Sequence, residues 1–494
     1  MKCLVGVDLG TTAVKAGLFT LDGREIAVAD CEYATDTPAP GWAEVPAERY
    51  WEAFVKAVRS ALKQSGAAGP FEAAAIGFSS QGETFLLLDG RGRPIRPAIA
   101  WFDTRAIAEN RFIEEHIDRR ELYETTGTPG FSPIYTAQKL LWLRNNEPES
   151  LERAAHIVLL PDYFIHRLTG EFATDPVNGG STCYVDIRIR RYWDRMLNLI
   201  GAPREKLPDI VSPCSPVGRL RDDIAAELGL AANGAPVVVG ANDQIVGALG
   251  AGNVAPGIVT EATGSALAVI ATTERFALDP GMRVPIGTHV VPGLFYALPF
   301  TQSGGIALRW VRDVFGFKDF AELTREAGQA PPGSAGLLAL PHVSGSVCPD
   351  LNPAARAAFR GISLAHSRGH IARAMMEALA YSLREQIELL AGMGIRTNRV
   401  RCIGGGARSD LWLRIKASVL NVPTERPECM EAAALGAAII GACGAGLFKS
   451  PSEAGAALVS VKERFDPEPG LVEIYRSGYK DYIAFYGGLY GRKT

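Results

Sequence analysis

The stretch that decides the fold is KCLVGVDLGTTAVKAGLFTLDGR, residues 2–24. Apolar residues alternate along it as in two strands that are joined by a tight turn rich in Gly and Thr, which predicts a β-hairpin. In that turn Gly10 lets the backbone approach a ligand, Thr11-Thr12 offer amides and hydroxyls, Asp8 can hold a hydrated cation, and Lys15 adds a positive charge. This chemistry suits a phosphate group. The alternative is a Gly-Thr turn that only closes the hairpin.

A second stretch, PVVVGANDQIVGALGAG at residues 236–252, again predicts a strand that delivers an aspartate. Asp243 is expected at the carboxyl edge of a sheet, where open α/β folds place reactive groups. A carboxylate there could accept a proton from a substrate hydroxyl. Alternatively, Asp243 only caps the following helix, which Asn242 could do equally well.

The next segment, GIVTEATGSALAVI at residues 257–270, predicts two strands that turn at Thr263-Gly264-Ser265. Standing alone, this turn is more typical of a plain hairpin than of phosphate binding. Its position matches that of the turn after Asp8, so we interpret the chain as two related halves that face each other. We therefore expect two α/β domains, residues 1–246 and 247–494, rather than the roughly three that the length of 494 residues suggests.

Two glycine-rich stretches follow in the second half. CIGGGARSD, residues 402–410, predicts a strand, a triple-glycine turn and a helix, which could admit a nucleotide base or ribose against bare backbone. Three glycines are weak evidence by themselves. EAAALGAAIIGACGAG, residues 431–446, predicts a helix of small residues on which another element packs closely, and it is not apolar enough to be interpreted as a membrane span.

Residues that suit a polyhydroxylated ligand lie in SSQGETFLLLDGRGRPIRPAIAWFDTRA, residues 79–106. Carboxylates and amides bind hydroxyl groups, and an aromatic ring covers a C–H face. The candidates at or beyond strand ends are Gln81, Glu83, Trp101, Asp103 and Arg105. The alternatives are a surface ion pair between Asp103 and Arg105 and a core position for Trp101.

The composition excludes several classes of function. Lys and Arg number 51 against 54 Asp and Glu, a formal charge of −3, without the basic clusters that are typical of nucleic-acid binding. The same balance argues against a membrane-surface role. Eight cysteines are scattered without a C-x-x-C pair, and the apolar stretch at residues 4–7 is too short for a signal peptide. We expect a cytoplasmic protein with reduced thiols and with neither a nucleic-acid nor a membrane partner.

Together these motifs resemble the FGGY carbohydrate kinases, a family that shares the ribonuclease H-like ATPase fold of actin, Hsp70 and hexokinase. The resemblance extends from Asp8 to about Gly446. The family's C-terminal signature fits at every constrained position, namely Ala357, Phe359, Gly361-Ile362, His370-Ile371, Ala374, Met375, Met376 and Glu377. Its N-terminal signature fits at Thr136, Lys139-Leu140, Trp142-Leu143 and Asn145-Asn146, whereas Ile134 departs from it. The implied fold is α/β, with two such domains flanking a central cleft.

The resemblance implies a role for each matching position. Asp8 looks like the residue that organises Mg²⁺, and Asp243 resembles the general base. The residues implied in ATP binding are Gly10, Thr11, Thr12, Lys15, Thr263, Gly264, Gly305, Arg309, Gly405, Gly406 and Asp410. Those implied in sugar binding are Gln81, Gly82, Glu83, Trp101, Asp103, Asn242, Asp243 and Gln244. The N-terminal domain would bind mainly the sugar, and the C-terminal domain mainly ATP.

Within the family, residues 139–149 and 160–175 look most like the xylulokinases. Three departures bear on the site. Xylulokinases typically carry Met-His-Gly where this chain has Ser80-Gln81-Gly82, and glycerol kinases carry an arginine at the position of Gly82. The family's S-G-E-R-x-P reads SGSVCP at residues 344–349, without either charge.

The implied reaction is ATP-dependent phosphorylation of a small sugar, with D-xylulose to D-xylulose 5-phosphate as the leading case. The other substrates are another pentulose, glycerol, erythritol and gluconate. A protein of a different class, a nucleotide-gated binding or regulatory protein on the same fold, would turn over ATP without regard to a sugar. That function would leave Trp101 and Asp103 without a ligand. The family alone implies a homodimer.

Overall fold

The computed structural model describes residues 1–66 and 71–491. Its first half is built on a six-stranded sheet. The strands are, in spatial order, Pro216–Arg219, Pro236–Asn242, Glu72–Ser80, Lys2–Leu9, Ala13–Phe19 and Glu25–Glu32. Buried residues of the helix Ala47–Gln64, among them Trp51 and Phe54, belong to the hydrophobic core under this sheet.

The predicted hairpin is confirmed. Strands Lys2–Leu9 and Ala13–Phe19 are antiparallel, and their register places Asp8 opposite Lys15. Strands Glu72–Ser80 and Pro236–Asn242 run parallel to Lys2–Leu9. The carboxyl ends of these three strands therefore meet at one edge of the sheet, which is the usual place for a ligand in this kind of layered α/β domain.

The second half repeats this pattern on an eight-stranded sheet. The strands are, in spatial order, Ile286–Thr288, Phe295–Ala297, Leu267–Thr273, Gly257–Thr263, Thr397–Gly404, Thr424–Pro427 and Val461–Phe465, with Phe300–Thr301 paired to Leu267–Thr273. Strand Gly257–Thr263 is antiparallel to the strand that follows it and parallel to Thr397–Gly404. Because Lys2–Leu9 has the same two kinds of neighbour in the first sheet, the prediction of two related halves is confirmed.

The remaining elements surround these sheets. Smaller sheets are formed by Glu44–Val45, Ala98–Ile99, Phe85–Leu88 and His156–Leu159, by Val185–Asp186 and Arg191–Tyr192, by Ala173–Thr174 and Asp209–Ile210, and by Leu338–Leu340 and Ala358–Arg360. The other helices of the first half are Ile107–His116, Arg119–Thr126, Thr136–Asn146, Pro148–Arg153, Leu160–Thr169, Pro176–Gly180, Asp194–Ile200, Asp222–Leu228 and Asp243–Gly250. The helices of the second half are Gly305–Val314, Phe320–Gln329, Arg368–Gly392, Asp410–Leu420, Ala432–Gly444, Pro451–Leu458 and Pro469–Tyr490. Short 3₁₀ turns lie at Arg204–Lys206, Ser334–Gly336 and Gly405–Arg408.

The helix Ala432–Gly444, named here the bridging helix, joins the two halves. It comes from the second half of the chain but packs on the first sheet, where a Cβ atom at Gly6 would overlap the carbonyl oxygen of Ala434 and one at Gly77 would overlap that of Ala437. The predicted close packing of this small-residue helix is confirmed. Throughout residues 1–66 and 71–491, no helix combines the length and the apolar character that crossing a membrane requires.

The predicted domain boundary between residues 246 and 247 falls inside the helix Asp243–Gly250. This helix packs against the bridging helix, since a Cβ atom at Gly250 would overlap the carbonyl oxygen of Ala432. Residues 251–256 connect this helix to the first strand of the second half, Gly257–Thr263. The division at 246 and 247 stays a prediction.

Candidate active site

The turn after the first strand places Asp8 and Lys15 where the two halves meet. The Asp8 carboxylate accepts a hydrogen bond from Ser79 Oγ at 2.7 Å. Burial raises the pKa of Asp8, and this hydrogen bond and the charge of Lys15 oppose the rise. Lys15 in turn forms an ion pair with Glu431, the residue that precedes the bridging helix. Sequence reasoning missed Ser79 and Glu431, because each is brought to the turn by a different element.

Asp243 lies at the same sheet edge, immediately after strand Pro236–Asn242. Burial is the main cause that raises the pKa of Asp243 to about 7, and the negative charge of Asp8 adds to it. The Gln244 amide donates to Asn242 Oδ1 at 3.1 Å and to one oxygen of Asp243 at 2.8 Å. Because Asn242 caps the helix, Asp243 is not required as a cap. A carboxyl group that titrates near neutrality is suited to accept a proton from a hydroxyl group.

Trp101 connects the predicted sugar pocket to the predicted phosphate turn. Its indole N–H donates to Thr11 Oγ1 at 2.9 Å, and its backbone N–H donates to Thr84 Oγ1 at 3.0 Å. The ring is partly exposed and is therefore not a core residue. The hydroxyl of Thr11 accepts from Trp101 and keeps its own proton available for a ligand.

Glu83 occupies the left-handed region of backbone space, with φ of 56°. Such a conformation is uncommon for a residue other than glycine and must be held by its surroundings. Burial raises the pKa of Glu83, against the charge of Lys139 and a hydrogen bond from Ser181. The charge of Glu83 contributes in turn to the raised pKa of Asp243, so the two carboxyl groups belong to one electrostatic site.

Gln81 stabilises the turn that follows the first strand. Its side-chain amide donates to the carbonyl oxygen of Gly10 at 3.1 Å and to the Tyr33 hydroxyl at 3.2 Å, and its oxygen accepts from the Thr84 hydroxyl at 3.1 Å. With 3% of its surface exposed, Gln81 holds the phosphate turn and does not present its amide to a sugar.

Asp103 differs from both interpretations that the sequence offered. It is fully buried, and its two oxygens accept from Arg105 at 2.9 and 2.8 Å. Arg105 also pairs with Glu44 at 2.8 Å. Asp103 is thus part of a buried ion-pair network, neither a surface pair nor a carboxylate left open for a sugar. Burial at this position could not be inferred from the local sequence.

The structure explains why the chain carries Gly82. A Cβ atom at this position would lie 3.0 Å from Asn242 Nδ2 and 3.0 Å from Ser181 Oγ. An arginine, as in glycerol kinases, would have to displace these two side chains. Asn242, Asp243 and Gln244 lie at the adjoining strand end. Each of these three predicted sugar-binding residues is partly exposed.

Glycine-rich segments of the second half also converge. The Gly305 amide donates to the carbonyl oxygen of Gly264 at 2.8 Å, and the register of the sheet pairs Thr263 with Gly404. A Cβ atom at Gly406 would lie 2.7 Å from Thr263 Cβ. The turn at residues 263–265, the start of helix Gly305–Val314 and the triple glycine therefore form one surface of bare backbone, which suits a nucleotide.

A buried ion pair lies beneath this surface. Lys416 Nζ is 2.7 Å from Glu261 Oε2, and both side chains are fully buried. The Thr263 hydroxyl donates to Glu261 and is thereby oriented. Buried charges are retained only when they are paired, and this pair fixes the base of the second turn. Its partners are 155 positions apart, so no local motif reveals it.

Two predicted nucleotide residues lie at the edge of this surface. Arg309 is exposed, one turn after Gly305 on the same helix. Asp410 begins the helix Asp410–Leu420, and its carboxylate is paired with Arg426. Asp410 is therefore already engaged by another residue of the chain.

The segment that lacks both charges of the family pattern, residues 344–349, lies beside the nucleotide surface. The Ser344 amide donates to Ser303 Oγ at 3.2 Å, and Ser303 directly precedes Gly304-Gly305. Because residues 344–349 carry no charge, the negative charge of a phosphate at this surface must be neutralised by other groups of the site.

The donor set fits a magnesium ion that is shared with a nucleotide. Asp8 supplies a buried carboxylate beside the phosphate turn, and Asp243 lies close enough for the charge of Asp8 to raise its pKa. Over the described part of the chain, no group of three or more His, Cys, Asp or Glu side chains could hold a metal by itself. Mg²⁺ usually takes only one or two carboxylates together with water and phosphate oxygens.

Two strand-end carboxylates at one edge of the first sheet, together with glycine-rich turns in both of the related α/β halves, define a two-domain protein with the ATPase fold of actin and hexokinase. The FGGY family of carbohydrate kinases matches the chain with its N-terminal domain over residues 3–250 and its C-terminal domain over residues 262–445. The chain belongs to this family and is an ATP-dependent carbohydrate kinase.

Similar proteins cover almost the full length of the chain. A xylulose kinase of Lactococcus lactis is 30% identical over 98% of this chain and 97% of its own. An autoinducer-2 kinase of Escherichia coli is 31% identical over 98% of this chain and 94% of its own. The crystal structure of a xylulose kinase from Rhodospirillum rubrum has a TM-score of 0.86 and 29% identity, and covers 99% of each chain.

Proposed function

We propose that this kinase transfers the γ-phosphoryl group of ATP to D-xylulose and forms D-xylulose 5-phosphate. The observation that carries the proposal is the placement of Asp243 at the sheet edge that also holds Asp8. Burial, together with the charges of Asp8 and Glu83, raises the pKa of Asp243 to about 7. The choice of sugar is supported by full-length similarity to proteins named xylulose kinase.

Asp243 acts as the general base. Its carboxylate accepts the proton of the attacking hydroxyl while the sugar oxygen bonds to phosphorus and the bond to ADP breaks. Glu83, Trp101 and Gln244 bind and orient the sugar. The turns at residues 10–12 and 263–264, together with Lys15, Gly305, Arg309 and Gly405-Gly406, bind the nucleotide. Positioning supplies most of the acceleration in a reaction of this kind.

Asp8 would hold Mg²⁺, which neutralises phosphate charge when it is bound. Movement of the two halves about their connecting helices would close the cleft and exclude water, which would otherwise compete with the sugar for the phosphoryl group. We propose a cytoplasmic location, which the eight free cysteines support. The homodimer implied by the family remains a prediction that light scattering would test.

The test is a substrate panel in a coupled assay of ADP release. The panel contains D-xylulose, other ketopentoses, glycerol, erythritol, gluconate and autoinducer-2. We expect D-xylulose to give the highest kcat/KM and a phosphate ester on O5. A higher kcat/KM for another compound would overturn the choice of sugar, and ATP turnover that is indifferent to every compound would overturn sugar phosphorylation itself.

A further inference from the structure

Lys139 is a fully buried lysine in the sugar-binding half. It lies on helix Thr136–Asn146, named here the brace helix, and 0% of its surface is exposed. Its Nζ donates to the carbonyl oxygen of Ala100 at 2.8 Å and to that of Trp101 at 3.0 Å. Burying an ammonium group is costly, so its retention needs a compensating role. Its two acceptors are the backbone of the segment that carries Trp101.

The brace helix also holds the opposite segment of the pocket. Thr136 Oγ1 donates to the carbonyl oxygen of Glu83 at 3.0 Å, which fixes a residue whose backbone is left-handed. Thr84, the next residue, accepts from the Trp101 amide at 3.0 Å. Hydrogen bonds thus connect residues 83–84 to residues 100–101. Thr136 and Lys139, on one turn of the brace helix, bind both segments.

Lys139 lies close enough to Glu83 for its charge to lower the pKa of that carboxyl group. The other charged groups that act on Lys139 are Asp103 and Arg105, and these are paired with each other at 2.8 Å. Burial lowers the pKa of Lys139 and raises that of Glu83, and each group's charge opposes the shift of the other. The other groups that Glu83 influences are Tyr135, Cys183, Asp243 and Tyr296, and Ser181 donates a hydrogen bond to it.

We propose that Lys139 is a positioning residue of the sugar site, which holds the Trp101 segment against Glu83 and provides the positive charge that faces the Glu83 carboxylate. This inference rests on the proposed assignment of Glu83 and Trp101 to the sugar site. An ionised Glu83 accepts hydrogen bonds from sugar hydroxyls through both oxygens, whereas a protonated one gives up part of that capacity.

The experiment compares Lys139→Met and Lys139→Arg with Lys416→Met. Lys416 is the matched control, because it is also fully buried but lies beneath the nucleotide turn, paired with Glu261. For Lys139→Met we expect KM for the sugar to rise by about tenfold to 100-fold, with KM for ATP within about twofold of wild type. For Lys416→Met we expect the larger change in KM for ATP. Thermal melts establish that each variant is folded.

A second readout separates charge from packing. Sugar binding without nucleotide is measured by calorimetry between pH 5.5 and 8.5, with D-xylulose or whichever compound the panel selects. Loss of the positive charge raises the pKa of Glu83, so in Lys139→Met the weakening of sugar binding at low pH should begin at a higher pH. Lys139→Arg keeps the charge, so the weakening of sugar binding at low pH should begin at the same pH as in wild type.

The outcomes are distinguishable from failure of the proposed function. If wild type phosphorylates no sugar, the function is wrong, whatever the variants do. If wild type is active but Lys139→Met leaves sugar KM and the pH profile unchanged, the positioning role is refuted. Equal losses for sugar and ATP would also overturn it. So would an unfolded Lys139→Met together with a folded Lys139→Arg whose pH profile is shifted to higher pH.

Discussion

Replacing Asp243 with Asn tests the central element of the mechanism. The substitution keeps the size of the side chain. It also keeps an oxygen that can accept the hydrogen bond that the Gln244 amide donates to Asp243 at 2.8 Å. It removes the carboxylate that takes the proton. General-base catalysis is worth about 10²- to 10⁴-fold in rate. We therefore expect sugar phosphorylation to fall by at least about 100-fold while nucleotide binding persists.

The raised pKa of Asp243 also predicts how the wild-type rate depends on pH. With a pKa of about 7, half of the molecules hold the ionised base at pH 7 and about one in ten at pH 6. The rate should therefore fall about fivefold between pH 7 and pH 6 and about tenfold for each further pH unit. An aspartate with the ordinary pKa of about 3.9 would keep the rate constant down to about pH 5.

The assay measures ADP release with both substrates well below their KM values, because the rate then reports the ionisation of the free enzyme. Calorimetry with ATP serves as the control for nucleotide binding by Asp243→Asn. Turnover of this variant within tenfold of wild type would show that Asp243 is not the base. A wild-type rate that is flat between pH 6 and 8 would refute the electrostatic argument.

Two further predictions address the metal and the fold. For Asp8→Asn we expect the Mg²⁺ concentration for half-maximal turnover to rise by about tenfold, since the carboxylate assigned to the metal is lost; an unchanged Mg²⁺ titration would exclude Asp8 from that role. Gly6→Ala should destabilise the protein by about 1–3 kcal/mol, because its Cβ overlaps the backbone of the bridging helix at Ala434. Gly90→Ala, which has nothing within 4 Å of its Cβ position, is the matched control in urea unfolding. Equal stability of the two variants would contradict the close packing.

Much of the fold could be predicted from local patterns. The hairpin around Asp8, the helix at residues 47–64 and the strand that ends before Asp243 all depend on alternation or helical periodicity within a few residues. The glycines and small residues of 431–446 indicated close packing, and the bridging helix shows it. The element on which that helix packs, the sheet of the opposite half, was not predictable from its own sequence.

The site was predictable only in part, for the same physical reason. Motifs identify residues that lie near each other in the chain, whereas partners such as Ser79 for Asp8 or Lys416 for Glu261 come from distant elements. Gln81 and Asp103 have the residue types of sugar ligands, but the carbonyl oxygen of Gly10 and the backbone amide of Ala43, both distant in the chain, engage them instead. The role of Lys139 was equally hidden, since its carbonyl acceptors are 38 and 39 positions away.

The sequence by itself indicated the class of the protein, because its motifs occur together in the order of the FGGY family, and because the strand, aspartate and glycine-rich turn around Asp8 form a local unit whose chemistry suits phosphate. It also indicated a second hairpin of this kind, with its turn at Thr263-Gly264-Ser265. Only the tertiary structure decided which carboxyl groups share an electrostatic environment, and hence that Asp243 titrates near neutrality. Burial and the distance between charges set a pKa, and both depend on how parallel strands from distant parts of the chain end at one edge.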